Sequence, residues 1–152
     1  MLAREYIDKV RSCASRLDAL HRELRALEDA RDQYQPWQAK GSALTGGVGG
    51  TCSDPTMTEA LSRIDGLYEQ IKTIRAKVDE AECIVGECLR MLDEMRRDLG
   101  DRHADVIELY CIDCAGTWTE VALEMGVSRA HMYRLRDAAL VWVGAHMVQY
   151  AI

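Results

Sequence analysis

The 152-residue sequence predicts an all-α protein, a long antiparallel coiled-coil hairpin over residues 1–99 followed by a small helical bundle over residues 100–152. Three observations carry this. Apolar residues recur at steps of three and four through two long segments, which lays one apolar stripe along each helix. The chain holds only two prolines and no phenylalanine, a composition that favours uninterrupted helix over sheet. After Gly100 the heptad stops and short segments with capping residues begin.

The first helix is read over residues 3–34. Its seam runs Ala3, Tyr6, Val10, Cys13, Leu17, Leu20, Leu24, Leu27 and Tyr34, broken only by Arg31. The other faces carry both signs of charge, with Glu5 ahead of Lys9 and Asp18 ahead of Arg22 at the helical four-residue spacing. These are solvated surface pairs. From Pro36 to Pro55 the pattern stops and Gly41, Gly46, Gly47, Gly49 and Gly50 crowd in, so residues 36–55 read as a flexible connection. The run at residues 46–50 lacks the Lys-Ser/Thr and the preceding strand of a phosphate-binding loop.

The second helix is read over residues 55–99, with Pro55 in its first turn, where a missing N–H costs little. Its seam is unbroken: Met57, Ala60, Ile64, Leu67, Ile71, Ile74, Val78, Ala81, Val85, Cys88, Leu92, Met95 and Leu99. At 1.5 Å per residue the two helices would measure about 48 and about 65 Å. Lengths this unequal leave part of the second seam for a partner chain, which predicts a homo-oligomer.

In the terminal segment Asp101 is read as the cap of a helix over residues 102–114 that buries Val106, Ile107, Tyr110 and Cys111. Thr117-Trp118-Thr119-Glu120 fits a capping box for a second short helix with Trp118, Val121, Ala122 and Met125 inward. Gly126 supplies a left-handed turn residue, Val127 fills the corner, and Ser128 caps a third helix. Helix, glycine turn and capped helix in this order form a helix-turn-helix. On the third helix Met132, Leu135, Ala139, Trp142 and Val143 share the inner face, leaving Ala130, Tyr133, Arg134 and Asp137 outside, flanked by Arg129, Arg136 and His131. Arg129, and His131 when protonated, oppose the positive end of the helix dipole, a penalty that a bound phosphate would reverse.

The stretches Thr117-Trp118-Thr119-Glu120-Val121-Ala122, Met125-Gly126-Val127-Ser128, Met132-Tyr133-Arg134-Leu135 and Ala139-Leu140 resemble region 4 of the sigma-70 factors. The order of long helix, Gly/Ser-rich break, second long helix and terminal module resembles, over nearly the whole chain, a phage and prophage family related to late-gene transcription regulators. The resemblance implies a sequence-specific regulator that binds double-stranded DNA. Arg129, Ala130, Tyr133 and Arg134 would face bases in the major groove, with Thr117, His131 and Arg136 near the backbone and Ser128 at the helix start. It also implies that the long helices serve dimerisation or docking to RNA polymerase. Ala138 stands where these families often carry a basic residue, and Asp137 adds a negative charge.

Charge bounds this reading. The chain carries a net −6, and residues 101–152 hold four Arg and Lys against seven Asp and Glu. Phosphate neutralisation supplies most nonspecific affinity, so an isolated copy is expected to bind DNA weakly. The alternative is a coiled-coil structural or adaptor protein that binds a protein partner without DNA. A DNA-packaging subunit fits less well, since those usually place the DNA-binding module ahead of the oligomerising helices.

Other chemistry finds little footing. Cys111-Ile112-Asp113-Cys114 has the spacing of half a zinc site, but Cys83 and Cys88 diverge by about 140° on a helix, so neither metal nor cofactor is expected. His21, His103, His131 and His146 show no ligand spacing and no nucleophile partner, so no enzyme is expected. Residues 1–10 carry Arg4, Glu5, Asp8 and Lys9 without a signal-peptide core, which predicts a cytoplasmic protein with reduced thiols. Residues 140–152 are apolar on most sides yet too short to span a bilayer. They are expected to pack over the helix-turn-helix or to form an interface.

Overall fold

The computed structural model describes the backbone of residues 1–44 and 55–150, and the side chains of residues 1–34 and 58–147. Its elements are α1 (Ala3–Leu44), α2 (Pro55–Asp98), α3 (Asp101–Cys111), α4 (Trp118–Met125) and α5 (Arg129–Tyr150), with no strand among the described residues. The all-α class read from the sequence holds. No helix among the described residues is long and apolar enough to cross a membrane.

Two boundaries differ from expectation. α1 continues past Tyr34 to Leu44, because extending a helix costs far less than nucleating one and Gln38, Ala39, Lys40, Ala43 and Leu44 are good helix formers. The helix thus runs beyond the last seam residue read from the sequence. α1 and α2 are thus 42 and 44 residues long, so unequal lengths no longer call for a partner chain. The glycine run at residues 46–50 lies outside the described residues. At the second boundary Gly100, not Asp101, occupies the N-cap of α3, with φ 107° and no side-chain cap bond. The turn out of α2 needs a positive φ that glycine takes cheaply, so Asp101 becomes helical and its carboxylate meets the dipole from the first turn. α3 also ends at Cys111 rather than Cys114.

The chain divides into two compact units, Met1–Asp18 with Glu80–Ile152, and Ala19–Asp79. This division falls within α1 and α2 rather than at the expected junction of residues 99 and 100. In the Ala19–Asp79 unit the two long helices run antiparallel: Glu28 pairs with Arg75 at 2.6 Å, and the Arg31 guanidinium lies 6.0 Å from the Tyr68 ring centre. On α2, Ile64, Ile71, Ile74 and Val78 are buried, whereas Leu20, Leu24 and Leu27 of α1 are half-buried. Such exposed ion pairs contribute at most about 1 kcal/mol, so the apolar seam holds this pair of helices together.

In the other unit the ends of the long helices gain a second buried face. Ile7 and Met91, outside the heptad seam, are 1% and 2% exposed. They join Val10, Cys88, Leu92 and Met95 in a cluster with Ala104, Ile107 and Cys111 of α3 and Ala139, Trp142 and Val143 of α5. α3 is shared between two clusters: Val106 on its other side packs with Val121, Ala122, Met132 and Leu135. Polar links secure the layers. Arg96 of α2 bonds Glu108 and lies 3.6 Å from Asp105, both on α3. Burial pulls the Arg96 pKa down, but the bond and charge of Glu108 outweigh it and leave the pKa raised. Asp98 accepts from the Trp142 indole N–H at 3.0 Å, and His146 stacks on that indole with centres 3.8 Å apart. Trp142, Val143 and Met147 thus pack into the core as the expected covering role requires, while Val141 remains 75% exposed.

Candidate nucleic-acid interface

The turn between α4 and α5 is built by local hydrogen bonds that the sequence specifies. The Thr117 hydroxyl accepts from the Glu120 N–H at 3.4 Å, and the Glu120 carboxylate accepts from the Thr117 N–H, so the capping box is closed on both sides. Gly116 makes room for it: a Cβ there would collide with the Glu120 carboxylate, and its φ is 49°. Gly126 ends α4 in the left-handed region at φ 65°, its N–H reaching the carbonyls of Ala122 and Leu123. Ser128 then accepts from the His131 N–H at 3.2 Å. These bonds satisfy backbone donors that α4 and α5 would otherwise leave open, and they fix the entry of α5.

α3, α4 and α5 all pack on one another. Met132, Leu135, Ala139, Trp142 and Val143 are buried, as the inner face requires. Arg129, Ala130, Tyr133, Arg134 and Asp137 are all exposed on the opposite face, with Thr117 and Ser128 also exposed and His131 half-buried. The structure therefore gathers most of the expected site on one end and one face of α5. Among the described residues no carboxylate pairs with Arg129 or Arg134. The first turn of α5 holds no acidic residue, so its positive dipole end is left unopposed.

Arg136 is less exposed than Arg129, Tyr133 and Arg134 and makes contacts within the module. Its side chain is 17% exposed, and its Nε and Nη2 donate to Asp137 Oδ1 at 2.9 and 2.7 Å. Its guanidinium lies 4.6 Å from the Tyr133 ring centre and 5.5 Å from that of Trp118. The periodicity of α5 put Arg136 at the flank of the outer face, but an aromatic neighbour contributed by α4 draws it inward. A one-helix projection carries no signal of that neighbour.

Part of the acidity of the module lines a cleft. This cleft, between α3 and α4, is lined by Asp105, Glu108, Asp113 and Glu124, with Arg102 the one base among its lining residues. Four of the seven acidic residues of the terminal segment therefore lie at this cleft, while Asp137 remains on the outer face of α5.

Cys88 and Cys111 form a packing contact. Both are buried, with sulfurs 3.9 Å apart, while Cys83 is exposed. The hydrogen bond to Cys88, then burial, push the Cys111 thiol well above its ordinary pKa. Cys114, at φ 54°, directs its sulfur toward the carbonyls of Arg11, Cys111 and Ile112. No group of three or more His, Cys, Asp or Glu among the described residues could hold a metal.

No family model matches the chain, and neither a search of curated proteins nor one of solved structures finds a match.

Proposed function

We propose that this protein is a sequence-specific transcription regulator that binds double-stranded DNA through the outer face of α5. The observation that carries the reading is the exposed pair Arg129 and Arg134, both without a carboxylate partner among the described residues, on a helix whose capped N-terminus follows a glycine turn. Unpaired arginines at the start of such a helix suit both phosphates and the O6 and N7 atoms of guanine. Tyr133 and Ala130 share that face and would meet base edges, with Thr117, Ser128 and His131 beside the backbone. The resemblance of Thr117-Trp118-Thr119-Glu120-Val121-Ala122 and Met125-Gly126-Val127-Ser128 to sigma-70 region 4 supports the same assignment and extends it to phage or prophage late-gene control.

The net charge of −6 works against a self-sufficient DNA binder. A second copy of the chain or RNA polymerase, engaged through the long helices, supplies the missing affinity. Titration of a fluorescent random-sequence duplex at several salt concentrations tests the assignment. Arg129→Ala and Arg134→Ala should each weaken binding, and the slope of log K against log salt should fall by about 1 wherever the lost arginine neutralised a phosphate. Unchanged binding and slope in a folded protein would favour the adaptor reading, in which the long helices recruit a protein and no DNA is bound.

A further inference from the structure

We infer that Arg136 is a positioning residue, holding Tyr133 in the orientation in which its ring reads a base, and that it makes no phosphate contact. The inference rests on the DNA reading above and assigns separate roles to Tyr133 and Arg136 within it. The guanidinium is already committed: Asp137 neutralises it through two short bonds, and the Tyr133 and Trp118 rings lie 4.6 and 5.5 Å away. A phosphate would share it with a carboxylate already bonded to Nε and Nη2, and could reach it only through the small part of the side chain that stays exposed beside two rings. Arg129 and Arg134 on the same helix face no such competition.

The contact with Tyr133 is one member of a longer column. Trp118 stacks on Tyr110 with ring centres 3.8 Å apart and planes 9° from parallel. The Arg11 guanidinium lies 4.2 Å over the other ring of that pair, Tyr110, whose hydroxyl reaches Asp8 at 3.4 Å. Tyr133, Arg136, Trp118, Tyr110 and Arg11 therefore form one column through α5, α4, α3 and α1 inside one compact unit. A cation set between two rings gains from both, and here the inner ring is itself held by a partner. Arg136 cannot swing outward without leaving that support.

Tyr133 stands at the outer end of the column, 37% exposed, next to Arg134. A free tyrosine on a helix surface samples several rotamers, whereas one face of this ring is covered by a fixed guanidinium. Its remaining surface is open to solvent among the residues assigned to base contact. An apolar ring at that place suits the 5-methyl group of thymine.

The test separates selectivity from charge. The wild-type protein first selects a duplex from a random pool. Wild type, Tyr133→Ala, Arg136→Lys, Arg136→Ala and Asp137→Asn are then titrated with the selected and a scrambled duplex across a salt series, with helicity followed by circular dichroism. All four variants should lower the ratio of selected to scrambled affinity, the Tyr133 and Arg136 variants by about tenfold, with the salt slope unchanged for the Arg136 variants. A slope reduced by about 1 in Arg136→Ala but kept in Arg136→Lys, with the ratio intact, would overturn the inference and make Arg136 a phosphate contact. Should Arg136→Ala fail to fold, Arg136→Lys decides: it lowers the ratio if Arg136 holds Tyr133 and leaves the ratio intact if lysine merely replaces a phosphate contact. A wild type that binds duplex without preference would overturn the role of Tyr133 while leaving DNA binding standing. A wild type that binds no duplex would remove both.

Discussion

The indole of Trp118 lies flat on the phenol ring of Tyr110, centres 3.8 Å apart, and this contact joins the first residue of α4 to the next-to-last residue of α3. Both rings are half-buried and belong to both apolar clusters of their unit. The stack therefore closes the junction between the ends of the long helices and the helix-turn-helix. Stacked aromatic pairs add about 0.5–1.5 kcal/mol beyond area burial. Trp118→Ala should cost about 3 kcal/mol once lost contacts are included, read as a lower denaturation midpoint. A loss below about 1 kcal/mol would mean that the stack is surface decoration.

The capping box sets a second expectation. Gly116→Ala would drive a methyl group into the Glu120 carboxylate and strain a backbone at φ 49°, so it should cost about 1–2 kcal/mol. Thr117→Ala, which loses only the hydroxyl acceptor, should cost about 1 kcal/mol. Thermal melts rank the two. Equal stability of Gly116→Ala and wild type would show that the box is open in solution.

Much of this was legible in the sequence because the signals are local. The capping box at Thr117 and Glu120, the left-handed Gly126, the Ser128 cap and the inner face of α5 each depend on residues within a turn or two of one another. The heptads also predicted burial correctly along the seam of α2. What escaped depends on residues distant in sequence. Ile7 and Met91 sit off the seam, and only α3 and α5, folding back on the ends of the long helices, give them a second surface to meet. The contact of Arg136 with Trp118 escaped for the same reason, since Trp118 reaches it from another helix. The end of α1 escaped for a different one: an apolar heptad is one signal of helix, and a helix can continue where that pattern is absent.

Thiol chemistry gives a pH-dependent expectation. Cys111 has its pKa raised by Cys88 and by burial, so the folded state keeps this thiol neutral. Its contribution to stability is complete below the ordinary thiol pKa of about 8.5 and declines as pH rises beyond it, because the unfolded chain ionises first. At about pH 8 a maleimide should label the exposed Cys83 rapidly, and Cys88 and Cys111 only on unfolding. Mass spectrometry of labelled peptides checks this. Fast labelling of Cys111 in folded protein would contradict the packing described for it.

Asp98 offers a simple structural check. It accepts the Trp142 indole N–H at 3.0 Å and lies 3.8 Å from His146 Nε2. Asp98→Ala leaves that N–H without its acceptor and should destabilise the protein by about 1–2 kcal/mol. Denaturant titration of the variant measures the loss, and an unchanged midpoint would show that water replaces the carboxylate at no cost.

Contact between the outer face of α5 and duplex DNA is the step on which the proposed function depends. Amide NMR spectra recorded while a duplex is added to the isotope-labelled protein probe it most directly. Shifts concentrated at residues 128–137 and near Thr117, weakening as salt is raised, are the expected result. Shifts confined to α1 and α2, or none at concentrations where the duplex is in excess, would contradict it.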